Sequence, residues 1–146
     1  MPSVLVTGAG RGIGEAIAVR LAHSGWTVFA GVRDTASGER LSDQHEGIAP
    51  VLLDITDEAH VAALADRLPD RLDAIVNNAG MGIVGPVEAV SIPDLRRQFE
   101  VNVFAQVAVT QAVLPRIRDA GGRIIFISST GGRAPVLMEW SYCSSK

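Results

Sequence analysis

Cysteine, runs of basic residues and long apolar stretches are what this sequence has least of. A single cysteine, Cys143, among 146 residues excludes an intrachain disulfide framework and a cysteine-based zinc cluster, and it suits a reducing, cytoplasmic setting. The 13 basic and 16 acidic side chains leave a net charge of -3 with no run of Lys or Arg, which argues against a nucleic-acid or membrane-surface binder. No apolar stretch approaches the roughly 18 residues of a spanning helix. The start, MPSVLVTGAG, has neither the basic opening nor the long apolar centre of a secretory signal, so none is expected. His23, His45 and His60 share no ligand-like spacing, so no metal site is expected either. What is plentiful is apolar side chains, 47% of the chain, together with 15 glycines. That composition suits one globular domain with enough apolar residues for a core.

The apolar residues fall into alternating strand-like and helix-like segments. Ser3 to Thr7 is a short β-branched run that stops against the glycines of GAGRGIG, as a buried strand entering a tight turn does. Ile13, Ala16, Ile17, Arg20 and Leu21 then repeat at helical spacing, with Gly25 as a stop. Thr27 to Val32, Ala49 to Leu53 and Leu72 to Val76 read as further strands, and Ala59 to Leu68 as a helix. From Ser91 to about Asp119 a long helix is expected, opened by a Ser91/Asp94 capping box and bent or ended near its last turn by Pro115. Arg123 to Ser128 reads as a fifth buried strand. The order β-α-β-(short α)-β-α-β-α-β, with apolar rather than alternating strands, predicts an α/β fold: a Rossmann-like, doubly wound parallel sheet covered on both faces.

Three segments carry chemistry. In Thr7 to Gly14 the glycines Gly8, Gly10, Gly12 and Gly14 stand between a strand and a helix. There a turn without Cβ atoms lets a pyrophosphate approach backbone N–H groups and the positive end of the helix dipole. The spacing is T-G-x-x-x-G-x-G, with Ile13 where the common dinucleotide fingerprint needs glycine. By itself such a turn also has a purely structural reading. Asp54 closes the third strand ahead of Ile55; it either caps the next helix or accepts a hydrogen bond from an adenine amino group. Asn77-Asn78-Ala79-Gly80 closes the fourth strand and would pass alone as a turn. Finally, Ser129 ends the fifth strand, and Tyr142 and Lys146 follow at i and i+4, a spacing that places them on one helical face. A Lys ammonium near a phenol favours the phenolate over its usual pKa near 10, so the Tyr can exchange a proton near neutral pH.

Together these segments resemble the short-chain dehydrogenase/reductase family over essentially all 146 residues. Gly8, Gly10, Arg11, Gly12, Ile13 and Gly14 correspond to its cofactor loop, Asp54 with Ile55 to its adenine side, and Asn78, Ala79 and Gly80 to its NNAG motif. Asn102, Ser129, Tyr142 and Lys146 correspond to its catalytic residues. The resemblance implies a hydride-transfer oxidoreductase acting on an alcohol or carbonyl. In it Tyr142 is the general acid/base and, with Lys146, also contacts the cofactor, Lys146 bonding the nicotinamide ribose; Ser129 orients the substrate oxygen, and Asn102 holds a water in a proton relay. Asn102 has weak helix propensity inside QFEVNVFAQV, so it needs a compensating hydrogen bond there. A non-catalytic dinucleotide-binding protein, or an inactive fragment of such an enzyme, is the competing reading.

The second strand ends Val32-Arg33-Asp34. Val32 stands where the family's ribose-binding acid aligns, and Arg33 with Arg11 can fork onto a 2′-phosphate, so NADP is expected over NAD. The counter-reading takes Asp34 as a ribose acid. Val136, Leu137, Met138 and Trp140, with Met81, Ile83 and Val84, either pack internally or line a pocket for a lipophilic alcohol or ketone, such as a steroid, retinoid or fatty-chain carbonyl. The resemblance further implies a homodimer or homotetramer built on the long helix. Because a sheet of this kind calls for a sixth strand, residues 1–146 are expected to be the N-terminal portion of one domain. The sequence stops after the fifth strand and the start of the next helix.

Overall fold

In the computed structural model, which describes residues 1–146, five parallel strands lie in the order β3-β2-β1-β4-β5. They are β1 (Ser3–Val6), β2 (Thr27–Val32), β3 (Ile48–Leu52), β4 (Ala74–Asn77) and β5 (Arg123–Phe126). Helices α1 (Gly12–His23), α2 (Thr35–Ser42), α3 (Glu58–Ala62) and α4 (Leu64–Arg67) join the first four strands in turn, and α5 (Ile92–Phe99) and α6 (Ala105–Ala120) lead from β4 to β5. A five-residue helix, α7 (Trp140–Ser144), closes the chain after a 3-10 turn at Thr130–Gly132.

The period-two geometry of a strand divides the apolar residues between two cores. Val4, Val6, Val28, Ala30, Ala74 and Val76 point to one face and pack with Ala18 and Ala22 of α1 and Leu41 of α2. Leu5 and Ile75 point to the other face and meet Leu64 of α4 and Val109, Val113 and Ile117 of α6. The order reverses between β1 and β4. Chain leaving the carboxyl ends of these two strands therefore diverges, leaving the crevice in which such sheets hold ligands.

Some expectations need correction. The β5 run is not buried: Ile124, Ile125 and Phe126 are 40%, 36% and 49% exposed, because β5 pairs only with β4 and has little helix packed over it, whereas α2 covers the opposite edge strand β3. The helix expected over Ala59 to Leu68 is two short helices, each of five residues or fewer, meeting at Ala63. The long helix runs past Pro115 to Ala120, close to the expected end at about Asp119, and stops at Gly121 with φ +63°. The proline is exposed, so the carbonyl that loses its partner meets water. Between α5 and α6 the chain also makes a π-helical turn, Glu100–Phe104, without interrupting the helical path. The capping box at Ser91 forms with a variation. Its hydroxyl accepts the Asp94 N–H (3.2 Å) and donates to the Asp94 carboxylate (2.7 Å) rather than leaving that carboxylate to the backbone.

Candidate active site

The glycine turn follows β1 directly, and Thr7 and Asn78 fix its shape. The buried Thr7 Oγ1 accepts the N–H groups of Asn78 and Ala79, both at 3.0 Å, while Asn78 Nδ2 donates to the carbonyls of Thr7 (2.9 Å) and Gly8 (3.2 Å). The loop after β4 thereby holds the loop after β1. A third clamp comes from Arg40 of α2, which pairs with the Glu15 carboxylate and donates to the Gly10 carbonyl at 2.6 Å. Thr7 belongs to the expected glycine motif, although its clamping role was not foreseen, whereas Arg40 was not expected at the site and is a distant residue with no local signature.

These loops border a groove of about 570 Å³. Of the expected cofactor residues, Gly8, Gly10, Arg11, Ile13, Gly14, Arg33, Asp54, Ile55, Asn78, Ala79 and Gly80 line it, while Gly12, Tyr142 and Lys146 do not. Ile13 is 66% exposed despite its helical spacing, because it faces this groove and not the core. Val32, Asp34, Ser37, Met81 and Val101 line the groove as well.

Two of its carboxylates are held ionised by hydrogen bonds. Asp34 caps α2, accepting from Ser37 N–H (2.7 Å) and Ser37 Oγ (3.0 Å), and these bonds, with Arg33 nearby, keep its pKa below the ordinary value. Asp54 does not cap α3, a task taken by Asp57. Instead it accepts from Thr56 N–H (3.0 Å) and Thr56 Oγ1 (2.7 Å), which lower its pKa, with Arg33 adding to the effect. Glu15 is lowered by its bonds to Arg40 and Gln44. Acids with depressed folded pKa values contribute stability that is present above their unfolded pKa and is lost as pH falls through the folded one. The urea midpoint of the chain is therefore expected to be flat from neutral pH down to about pH 4 and to fall below it. Asp54→Asn should make that acid-side decline shallower; an unchanged decline would show that Asp54 takes no part in it.

Arg11 and Arg33 are both exposed and make neither an ion pair nor a side-chain hydrogen bond. Two unpaired guanidiniums thus face the groove, one from the glycine turn after β1 and one directly after β2.

Beyond Gly80 the groove meets the remaining candidates. A Cβ at Gly80 would lie 3.0 Å from Lys146 Nζ and 3.2 Å from Asn102 Oδ1. The Tyr142 ring lies between two further glycines. A Cβ on Gly82 would sit 3.3 Å from its Cδ2, and one on Gly131 would sit 3.8 Å from its Cδ1 and 3.5 Å from Ser129 Oγ. Lys146 lies just past the end of α7, with Nζ 5.9 Å from the Tyr142 ring centre and donating to the Ile127 carbonyl at 3.1 Å. Burial holds its pKa below the ordinary lysine value. Ser129 Oγ accepts the Gly131 N–H at 3.1 Å, which leaves its own hydrogen free to donate. The bond that Asn102 requires in mid-helix comes from Met81 and Ser145. Asn102 Oδ1 accepts Met81 N–H, and Nδ2 donates to Met81 O and Ser145 Oγ, each at 2.8 Å. Val136, Leu137 and Met138 stay exposed on the loop ahead of α7, while Trp140 is half-buried.

Comparison with known proteins bears on the whole of this arrangement. The family model described as short chain dehydrogenase matches residues 2–146. Retinol dehydrogenase 8 of Homo sapiens is 36% identical over 153 residues, covering 99% of this chain and 49% of its own length. The chain thus spans about half the length of such curated relatives. Among solved structures, 7 alpha-hydroxysteroid dehydrogenase complexed with NADH and 7-oxo glycochenodeoxycholic acid has a TM-score of 0.90 at 32% identity, covering 99% of this chain and 59% of its own. The closed form of serine dehydrogenase complexed with NADP+ has a TM-score of 0.92 at 32% identity, covering 99% and 60%. No helix of the chain is long and apolar enough to cross a membrane.

Proposed function

Because this chain belongs to the short-chain dehydrogenase family, we propose that it carries the cofactor site and proton-transfer residues of an oxidoreductase. That enzyme moves a hydride between NADP(H) and a lipophilic secondary alcohol or ketone. The observation that carries this reading is the meeting of Lys146 Nζ, Asn102 and the Tyr142 ring around Gly80 and Gly82, where the glycine-lined groove ends. The groove suits a dinucleotide: Gly8, Gly10 and Gly14 line it beside the N-terminus of α1, where a pyrophosphate is attracted. When bound, the nicotinamide accepts or supplies the hydride. Tyr142 gives a proton to the carbonyl oxygen in reduction and takes one from the hydroxyl in oxidation. The Ser129 hydroxyl donates to the same oxygen and orients it. Lys146 places positive charge beside the phenol, and Asn102 holds the Met81 peptide, and with it the groove's far wall.

The preference for NADP rests on Arg11 and Arg33, which have no partner within the chain, and on Asp34, whose carboxylate is already engaged by Ser37. Fluorescence titration of the chain should accordingly show tighter binding of NADPH than of NADH. Arg33→Asp should weaken NADPH binding at least tenfold, since a bidentate charge-assisted contact becomes a like-charge one, and should leave NADH within about twofold. Equal weakening of both would remove Arg33 from cofactor choice. The lipophilic substrate is supported by the exposed apolar Val136, Leu137 and Met138 on the loop between Ser129 and Tyr142 and by a retinol and a hydroxysteroid dehydrogenase among the similar proteins. Assembly as a homodimer or homotetramer through the α5–α6 helix is part of the same proposal, supported by the exposure of Phe104 and Val107 on it.

A further inference from the structure

A polar stripe runs down the long helix at a strict four-residue spacing and grips the chain from the last residue of β4 onward at a two-residue spacing. Thr110 Oγ1 accepts from Asn77 Nδ2 (2.9 Å), Gln106 Nε2 donates to Ala79 O (2.6 Å), Asn102 exchanges two bonds with Met81, and Gln98 Oε1 accepts Ile83 N–H (2.5 Å). Four helical residues rise about 6.0 Å and two extended residues about 6.6 Å, so the rungs match. On an ideal α-helix a four-residue step also turns about 40° too far. The π-turn at Glu100–Phe104, inside the stripe, takes back part of that drift.

At two rungs α7 completes the grip. Ser145 Oγ takes the hydrogen bond of Asn102 Nδ2, and Ser141 Oγ donates to Ile83 O at 2.7 Å. The Ile83 residue is thus held at both polar groups, by Gln98 from the long helix and by Ser141 from α7. Tyr142 is the next residue. A helix of five residues has little stability of its own, so its placement depends on such outside bonds. We propose that Gln98 and Ser141 are positioning residues that act through the Ile83 peptide to fix α7, and with it the Tyr142 phenol, against the substrate; this rests on the oxidoreductase reading given above. Gln98 and Ser141 are both fully buried, and Gln98 Nε2 has no partner. A buried unpaired donor is costly. An isosteric methionine removes that cost while it loses the acceptor, so Gln98→Met has little net effect on folding and the positional effect can be read separately.

The test pairs two readouts on Gln98→Met, Ser141→Ala and the double variant. Amide hydrogen exchange should quicken at least tenfold at Ile83 in Gln98→Met, and at Cys143 and Ser145 of the α7 segment in both single variants, with NADPH affinity unchanged. In alcohol or ketone turnover kcat should fall about tenfold with cofactor KM constant. The double variant should fall little further, since both changes release one peptide. Gln98→Glu, held neutral by burial at this site, keeps an acceptor for Ile83 N–H and should restore most of the rate. Unchanged exchange in α7 and unchanged kcat, with only a shift in Tm, would overturn the proposal. A parent protein that binds NADPH but turns over no alcohol or ketone would sink the oxidoreductase reading instead, and the exchange data would still decide whether the two residues hold α7.

Discussion

Replacing Tyr142 by phenylalanine is expected to reduce kcat by about 10²- to 10⁴-fold, the range that a positioned proton donor or acceptor contributes, while NADPH affinity stays within about twofold of the parent. The substitution is clean because of what surrounds the ring. Its edges rest against Gly82 and Gly131, positions without side chains, and phenylalanine fills the same space. Only the hydroxyl is lost, so the packing of α7 and the bond from Ser141 to Ile83 persist. Lys146 does not depend on the phenol for its place, since its Nζ donates to the Ile127 carbonyl and its own carbonyl accepts from Ser128 Oγ at 2.8 Å. The measurement is single-turnover and steady-state nicotinamide absorbance with a panel of secondary alcohols and ketones, beside an NADPH titration. Retention of turnover within tenfold of the parent would assign the proton transfer to another group. Loss of NADPH binding in step with turnover would instead mark Tyr142 as part of the cofactor site.

Much of this site is legible in the sequence because it is built at strand ends, where a run of apolar residues gives way to glycine or asparagine. Thr7 to Gly14 follows β1, Asn77 to Gly80 follows β4, and Ser129 closely follows β5. The parallel sheet is legible for the same reason: Val4, Leu5 and Val6 are apolar on both faces, as only a strand covered on both sides can be. The need of Asn102 for a partner was also readable, from its poor helix propensity in an apolar segment. Its partners, Met81 and Ser145, were not, because they come from 21 and 43 residues away. Arg40 illustrates the same limit. Its bonds to Glu15 and Gly10 span 25 and 30 residues, and nothing around Arg40 in the sequence sets it apart from a solvated charge on a short helix. The exposure of β5 was hidden for a different reason. An apolar run such as IIFI has one pattern whether or not a neighbouring element covers it, so periodicity cannot distinguish an edge strand from a central one. The π-turn leaves no compositional trace; it follows from matching Gln98, Asn102, Gln106 and Thr110 to a partner segment with a different repeat.

Gly14→Ala sets two opposed effects against each other. Gly14 lies in the first turn of α1, and inside a helix alanine is favoured over glycine by about 1 kcal/mol. Against that stands a close approach: a Cβ at Gly14 would fall 2.3 Å from the Gly8 carbonyl oxygen and 2.4 Å from Asn78 Nδ2. Carbon and oxygen ordinarily come no nearer than about 3.3 Å, so the carbonyl or the amide must move by about 1 Å. Neither is free to do so. Asn78 Nδ2 is bonded to Thr7 O and Gly8 O, and the Asn78 N–H to Thr7 Oγ1. Overpacking of about 1–3 kcal/mol adds to the loss of one or two hydrogen bonds at about 1 kcal/mol each, and together they exceed the helix gain. The expected net destabilisation is about 2–3 kcal/mol, which lowers Tm by roughly 5–10 °C for a chain of this size. Gly12→Ala provides the contrast. Gly12 has φ +61° and nothing within 4 Å of its Cβ position, so it bears only the left-handed backbone cost of about 1–2 kcal/mol. Thermal unfolding of the two variants should therefore rank Gly14→Ala below Gly12→Ala. A Gly14→Ala variant at least as stable as the parent would mean that helix propensity wins and that the glycine turn is not locked to Asn78 as described.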